Sequence, residues 1–201
     1  MRTLNPQRFW KAPPPVKIEA GDPEAAEKLI TALSLLLKAH MGPRQTLVAL
    51  CIGTDRSTGD SLGPIIGSAL KRRQPCIPLL GTLEDPVHAV NLRDKLLEVE
   101  RSFPDPFVLA VDACLGRLDS VGKIDVGPGP LQPGAGVNKS LPRVGDAYIS
   151  GIVNVGGFLE YFVLQNTRLN IVMSLAEVIT EGLHHIFLGP LEAGSRGGGP
   201  S

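Results

Sequence analysis

Leu47–Ile52 (LVALCI) is an unbroken apolar run, and it constrains this chain more than any other feature. A strand with one face in water alternates apolar and polar side chains. A run with no polar break belongs to a strand buried on both faces, as in the centre of a parallel sheet covered by helices. Gly53 ends the run, and a short polar loop, Thr54–Asp60, follows with two carboxylates, Asp55 and Asp60. Leu62, Ile65, Ile66, Ala69 and Leu70 then recur at helical spacing. Pro64 suits the first turn of that helix, where a missing N–H is tolerated. With Pro64 as the first helical residue, Gly63 takes the cap and Asp60 lies upstream. The unit is strand, acidic loop, helix. Ligands of open parallel sheets sit where such loops lie, beyond the carboxyl ends of the strands.

Phe107–Val111 (FVLAV) repeats the logic and delivers Asp112 at its end. A carboxylate beside a hydrophobic strand must be paired, hydrated or functional. Two strands that each lead to an Asp can bring those side chains together above one sheet. Asp60 and Asp112 are therefore the candidate catalytic pair.

The remaining segments alternate in type. Residues 1–20, with Pro13-Pro14-Pro15, read as a loose arm. Asp22-Pro23-Glu24 starts a helix whose apolar stripe is Leu29, Ile30, Leu33, Leu36 and Leu37. Cys76–Leu80 is a short strand, and Pro78 places it at an edge. Asp85-Pro86 gives a cap and first helical position for a helix running to about Arg101, with His88 in its first turn near the strand ends. Val121–Val126 is a fourth strand, and Gly127–Asp146 is a long irregular loop of the kind that carries function. Residues 147–153 are a fifth strand, a helix passes through Phe158, Leu159, Phe162 and Val163, and a last helix runs from Leu169 to about Phe187. The expected fold is α/β, a three-layer α/β/α sandwich with a mainly parallel sheet of about five strands. One domain, residues 21–188, lies between the arm and a frayed tail, 189–201.

Charge and composition exclude several classes. Twenty basic and 20 acidic residues cancel, so no electrostatic footprint for nucleic acid or membrane exists. No apolar run reaches the roughly 20 residues of a membrane span, and Met1–Val16 lacks an apolar signal core. Cys51, Cys76 and Cys114 are odd in number and lie in or beside predicted strands, which reads as reduced, buried thiols in a cytoplasmic protein. G-x-G-x-x-G, the P-loop, C-x-x-C and H-E-x-x-H are all absent, so no cofactor or metal is expected. His184 and His185 point about 100° apart on one helix and do not form a clamp.

The segments GTDRSTGDSLGP, GTLEDPVHAVNL, AVDACLG and QPGAGVNKSLPRVGD together resemble the YyaC family of spore-forming bacteria. That family is related to the germination protease, which degrades small acid-soluble spore proteins, and more distantly to hydrogenase-maturation peptidases. The resemblance implies an α/β sandwich with an acidic residue after the first strand and an Asp after a later one, here Asp60 and Asp112. In the germination protease both are aspartates and serve catalysis. In the hydrogenase-maturation peptidases the equivalents bind nickel together with a later His, and the 127–146 loop has no such His. The germination protease's loop is also similar to Gly134–Lys139.

The resulting expectation is a sporulation-associated peptidase acting on a protein or peptide, as a monomer or a homo-oligomer, in the cytoplasm of a sporulating cell. Gly53, Thr54, Asp55, His88, Gly136, Asn138 and Lys139 would hold the substrate, and N–H groups at Ser61–Gly63 would steady the oxyanion. Asp55 with Arg56 equally fits a solvated loop pair. A non-catalytic sporulation factor binding a partner in the same cleft is the alternative. A third reading places a phosphate at the helix start, beside Ser57, Thr58 and Ser61. The resemblance also allows residues 1–20 to be a removable propeptide rather than a plain tail.

Overall fold

In the computed structural model, residues 15–134 and 141–189 are described. The elements, in chain order, are β1 (Val16–Glu19), α1 (Ala25–His40), β2 (Thr46–Cys51), α2 (Leu62–Arg73), β3 (Leu79–Leu80), α3 (Leu92–Ser102), β4 (Pro106–Gly116), β5 (Lys123–Pro128), β6 (Ala147–Val155), α4 (Glu160–Gln165) and α5 (Leu169–Leu188). The six strands form one sheet in the order β1-β5-β6-β4-β2-β3. Strands β3, β2, β4 and β6 run parallel, while β5 and β1 add antiparallel at one side. The expected α/β architecture is borne out, with one strand more than the sequence reading counted.

Alternation along the strands sorts the core into two layers. Leu47, Ala49 and Cys51 of β2, Phe107, Leu109 and Val111 of β4, and Ile149 and Val153 of β6 point toward α1, α2 and α5. Val48, Leu50 and Ile52 with Ala110 point the other way, where Leu92 and Val99 of α3 meet them together with Leu131, Leu141 and Val144. β2 is thus apolar on both faces because both are covered, as the unbroken run requires. α5 is long and apolar enough to cross a membrane by length and composition, which the sequence reading missed. Its Val172, Leu175, Ala176, Ile179 and Leu183 are buried in the core instead.

Several boundaries differ from expectation for local reasons. Val16–Glu19, read as part of an arm, is an edge strand on β5, with Ile18 in the core. Removing all of residues 1–20 would strip that strand. α1 starts at Ala25, with Asp22 accepting from the Glu24 N–H at 2.9 Å just before it. The predicted strand 76–80 narrows to Leu79–Leu80, at the sheet edge as Pro78 indicated. Asp85-Pro86 does not start a helix. Asn91 Oδ1 accepts from the His88 N–H at 2.8 Å and holds a turn there, so α3 begins at Leu92. Asp85 pairs with Lys95 at 2.6 Å instead. Phe158 and Leu159 precede α4, because Leu159 adopts a left-handed conformation, φ 55°. Cys51 is buried, Cys114 half-buried and Cys76 exposed, so the expectation of three buried thiols fails at Cys76.

The 127–146 loop has a folded stem. Leu131 and Val144 form an antiparallel bridge, Gln132 Nε2 donates to the Leu141 carbonyl at 2.9 Å, and Asp146 Oδ2 accepts from the Val108 N–H at 2.9 Å. Apolar side chains of the stem fill the layer beside α3, so it serves as part of that layer.

Candidate functional site

The chain leaves β2 through α2 to reach β3 on one side, and leaves β4 toward β5 and β6 on the other. The connections from the carboxyl ends of β2 and β4 therefore diverge, and a crevice opens between those ends. Asp60 follows β2 and Asp112 lies on β4, so the topology alone brings both to this crevice.

Close backbone packing sets the position of Asp60. Gly53 has φ 145°, and a Cβ there would lie 2.0 Å from the Asp60 carbonyl oxygen. That conformation and that gap admit only glycine. The Gly53 N–H donates to the Val87 carbonyl at 2.8 Å, and the Thr54 N–H donates to the Asp60 carbonyl at 3.0 Å, closing the loop. A 3-10 turn, Gly59–Ser61, runs straight into α2. The helix thus begins two residues before Pro64, with Ser61 rather than Gly63 at the cap position. A Cβ on Gly63 would lie 2.1 Å from the Ile52 carbonyl oxygen, so α2 packs directly on the end of β2.

Asp112 is not at a strand end. β4 continues to Gly116, paired with β6, after β2 has turned away. The last rungs on the β2 side are Cys51 opposite Val111 and the Ile52 N–H donating to the Val111 carbonyl at 2.7 Å. Asp112 is therefore the first residue of β4 beyond the reach of β2, which the unbroken FVLAV run could not reveal. Its Oδ1 accepts from the Ala113 N–H at 2.9 Å. In register beside it lie Ser150 on β6, Asp125 on β5 and Lys17 on β1, with Lys17 and Asp125 in a 2.9 Å ion pair.

The electrostatics tie the two aspartates together. Burial raises the affinity of Asp60 for its proton, and the nearby Ser57 hydroxyl offsets part of that. Burial pushes Asp112 well above the usual aspartate value, and the Asp60 charge pushes it further, against a smaller opposing effect of the Ala113 N–H. Cys114, next on the same face, has its thiol pushed up by burial and partly held back by Ser150.

The other candidates are distributed less tightly. Gly53 and Thr54 form the floor and wall of the Asp60 loop. Asp55 is exposed, in keeping with the solvated reading. His88 follows Val87, which bridges Ile52 across the crevice end, and its Nδ1 accepts from the Val90 N–H at 3.3 Å. It stands beside Gly53, in the turn before α3 rather than within that helix. Gly136, Asn138 and Lys139 lie outside the described residues. The stem that carries them lies on the Asp112 face. It joins the sheet at the Pro128–Ala147–Leu109 level, three residues or about 10 Å below Asp112. The Ser61 N–H and hydroxyl both donate to the Thr58 carbonyl, at 3.3 and 2.7 Å. Ser61 is thus spent within the turn, which removes it as an oxyanion donor and weakens the phosphate reading. Among the described residues, no group of three His, Cys, Asp or Glu side chains is arranged to hold a metal ion.

Two features were not anticipated from sequence. Ser57, named from sequence only as a hydroxyl near the helix start, is 6% exposed and acts on Asp60. Phe158, Leu159, Tyr161 and Phe162 are exposed, Phe158 by 87%, around α4. α4 packs on the Asp60 turn, since a Cβ on Gly59 would meet the Leu164 side chain at 2.7 Å. Exposed aromatics give a recognisable signal, but only the fold places their helix, α4, against the Asp60 turn.

Fold and site define a three-layer α/β protein with a coupled carboxyl pair at its topological switch point. The chain belongs to the DUF1256 family, described as proteins of unknown function, which matches residues 17–182. It is 58% identical over 163 residues to a Bacillus subtilis protein described as uncharacterized protein YyaC, covering 81% of this chain and 78% of that protein. The YyaC resemblance carried by the sequence motifs is thereby borne out. A histidinol dehydrogenase of Halobacterium salinarum is 26% identical over 168 residues, covering 78% of this chain but 39% of that enzyme.

Proposed function

We propose that this chain is a peptidase that uses Asp60 and Asp112 as an acid–base pair on a protein or peptide, in the manner of the germination protease, in the cytoplasm of a sporulating cell. One observation carries the reading: the Asp60 charge acts on Asp112, a half-buried carboxyl at the switch point. Two such groups do not both ionise, and Asp112, with the larger rise, keeps the proton.

The chemistry follows from that asymmetry. Ionised Asp60 takes a proton from a water as its oxygen attacks the scissile carbonyl carbon. Asp112 donates its proton to the carbonyl oxygen, giving a neutral tetrahedral adduct. On collapse that oxygen returns a proton to Asp112. The proton on Asp60 passes to the departing nitrogen, and both groups regain their starting states. The exposed aromatic residues beside the Asp60 turn offer apolar contact to side chains flanking the bond.

The test is cleavage of unfolded protein and peptide mixtures, read by mass spectrometry. New termini with wild type and none with Asp60→Asn or Asp112→Asn support the proposal. A second reading, a non-catalytic factor that binds a partner in the crevice, is favoured by the same apolar rim. Saturable peptide binding without new termini would select it.

A further inference from the structure

Asp60 and Asp112 differ in their surroundings, and the difference centres on Ser57. This side chain is 6% exposed, and its Oγ has no formed hydrogen bond among the described residues. A buried hydroxyl left without a partner is costly, and such a group in a native fold has a use. The charged acceptor it faces is Asp60, three residues along the same closed loop. Among the described residues Asp112 accepts from its neighbour's N–H, while the Ser150 hydroxyl beside it acts on Cys114 instead.

We infer that Ser57 is a positioning residue for Asp60: its hydroxyl donates to that carboxylate, placing the charge of the pair on Asp60 and the proton on Asp112. A hydroxyl donor favours the ionised form of the carboxylate it meets. The closed loop holds donor and acceptor together, because the Thr54 N–H to Asp60 carbonyl bond spans the segment containing both. Ser57 touches neither water nor substrate in this role. It acts through Asp60, by deciding which of two similar acids is the base.

The other titratable or charged groups on surrounding elements are Asp55 and Arg56 of the same loop, His88 before α3, Cys114 on β4, Glu160 on α4, and Asp125 on β5 with Lys17 on β1, which neutralise each other in a 2.9 Å ion pair. Asp55 and Arg56 are exposed. Glu160 accepts from the Gly157 N–H at 3.1 Å, and the Cys114 thiol stays protonated through the acid range because burial raises it. His88 is the remaining group beside the crevice, so the measurement is repeated in His88→Gln.

This inference rests on the proposed function only in treating Asp60 and Asp112 as a pair, and its test does not require turnover. The protein is labelled with carboxyl-¹³C aspartate, and the Asp60 and Asp112 signals, assigned with the Asn variants, are followed by NMR from acid to neutral pH. In wild type, Asp60 ionises first. Ser57→Ala raises the Asp60 midpoint by about one pH unit, a tenfold rise in proton affinity, and narrows the gap to Asp112. Ser57→Thr, which keeps the hydroxyl, preserves the wild-type order. His88→Gln leaves the Ser57 effect intact. Unchanged midpoints in Ser57→Ala, or Asp112 ionising first in wild type, would overturn the inference. Shifted midpoints in a protein that cuts nothing would uphold Ser57 while removing the peptidase reading. Cleavage with unshifted midpoints would do the reverse.

Discussion

Replacing Gly53 by alanine is the sharpest probe of how the Asp60 loop is held. The added methyl would lie 2.0 Å from the Asp60 carbonyl oxygen and 2.9 Å from Pro64 Cδ, at a residue with φ 145°. Backbone strain of this kind costs about 1–3 kcal/mol, and overpacking adds about 1–3, for a total of about 2–6 kcal/mol. That is a large part of the roughly 5–15 kcal/mol that holds a typical domain together. Two other glycines separate the causes. Gly122 has φ 86°, but nothing lies within 4 Å of the place a Cβ would take, so its alanine variant bears strain alone, about 1–2 kcal/mol. Gly21 has open space and no left-handed φ, so Gly21→Ala should be neutral or stabilise by about 0.4–1 kcal/mol. Urea denaturation should place Gly53→Ala about 1–2 M below wild type, Gly122→Ala between them, and Gly21→Ala at or above wild type. Equal losses for Gly53→Ala and Gly122→Ala would refute the claim that contact with the Asp60 backbone locks the loop.

Asp60→Asn and Asp112→Asn should each lower peptide cleavage by at least about a hundredfold, the scale of acid–base catalysis, and the double variant should cost little more, because the pair works as a unit. Asp55→Asn, from the exposed part of the loop, should retain most cleavage. Asp112→Asn should also raise the melting temperature at neutral pH. Folded Asp112 holds its proton above the usual value of 3.8, so wild type loses relative stability as pH climbs past that value and the unfolded chain ionises. The Asn variant's advantage should therefore vanish below about pH 4 and grow above it; an advantage independent of pH would exclude this cause. A thiol reagent should label Cys76 at once, while Cys51, buried with its thiol pushed up to about 12, should react only on unfolding. Elemental analysis should find no stoichiometric nickel or zinc, since the crevice offers two carboxylates and one nearby histidine, His88.

The parts of this architecture legible in sequence were those written in continuous apolar runs. Leu47–Ile52 announced a strand covered on both faces, and the acids that follow this run and Phe107–Val111 mark where the crevice lies. Val16–Glu19 was hidden because a strand with one inward residue, Ile18, carries too short a pattern to stand out beside a proline run. Asp112 looked terminal because an acid interrupts the apolar run there, although Ala113–Leu115 are apolar again and pairing with β6 continues; the change of neighbour is a property of the sheet. The start of α3 was misplaced because Asp85-Pro86 satisfies the local rule, while Asn91, through one side-chain hydrogen bond, decides the outcome. Ser57 carried a local signal only as a hydroxyl near a helix start, and nothing in the sequence marked its burial. Its burial depends on how tightly Gly53 and Gly63 draw loop and helix onto the end of β2.

The strand order also dictates a sequence of events as the chain is made. β1 is the first strand to leave the ribosome, yet Lys17 finds Asp125 only 108 residues later. β5 in turn needs β6 as its other neighbour, so one flank of the sheet cannot close until Ala147–Val155 has emerged. The parallel trio β3, β2 and β4 can associate well before that, with α2 and α3 already synthesised between its strands. Closing so long a loop comes late and slowly, because its entropy is lost before its contacts form. The earliest segment of this sheet is thus among the last to be seated, and the switch-point crevice takes shape before the far edge of the sheet is complete.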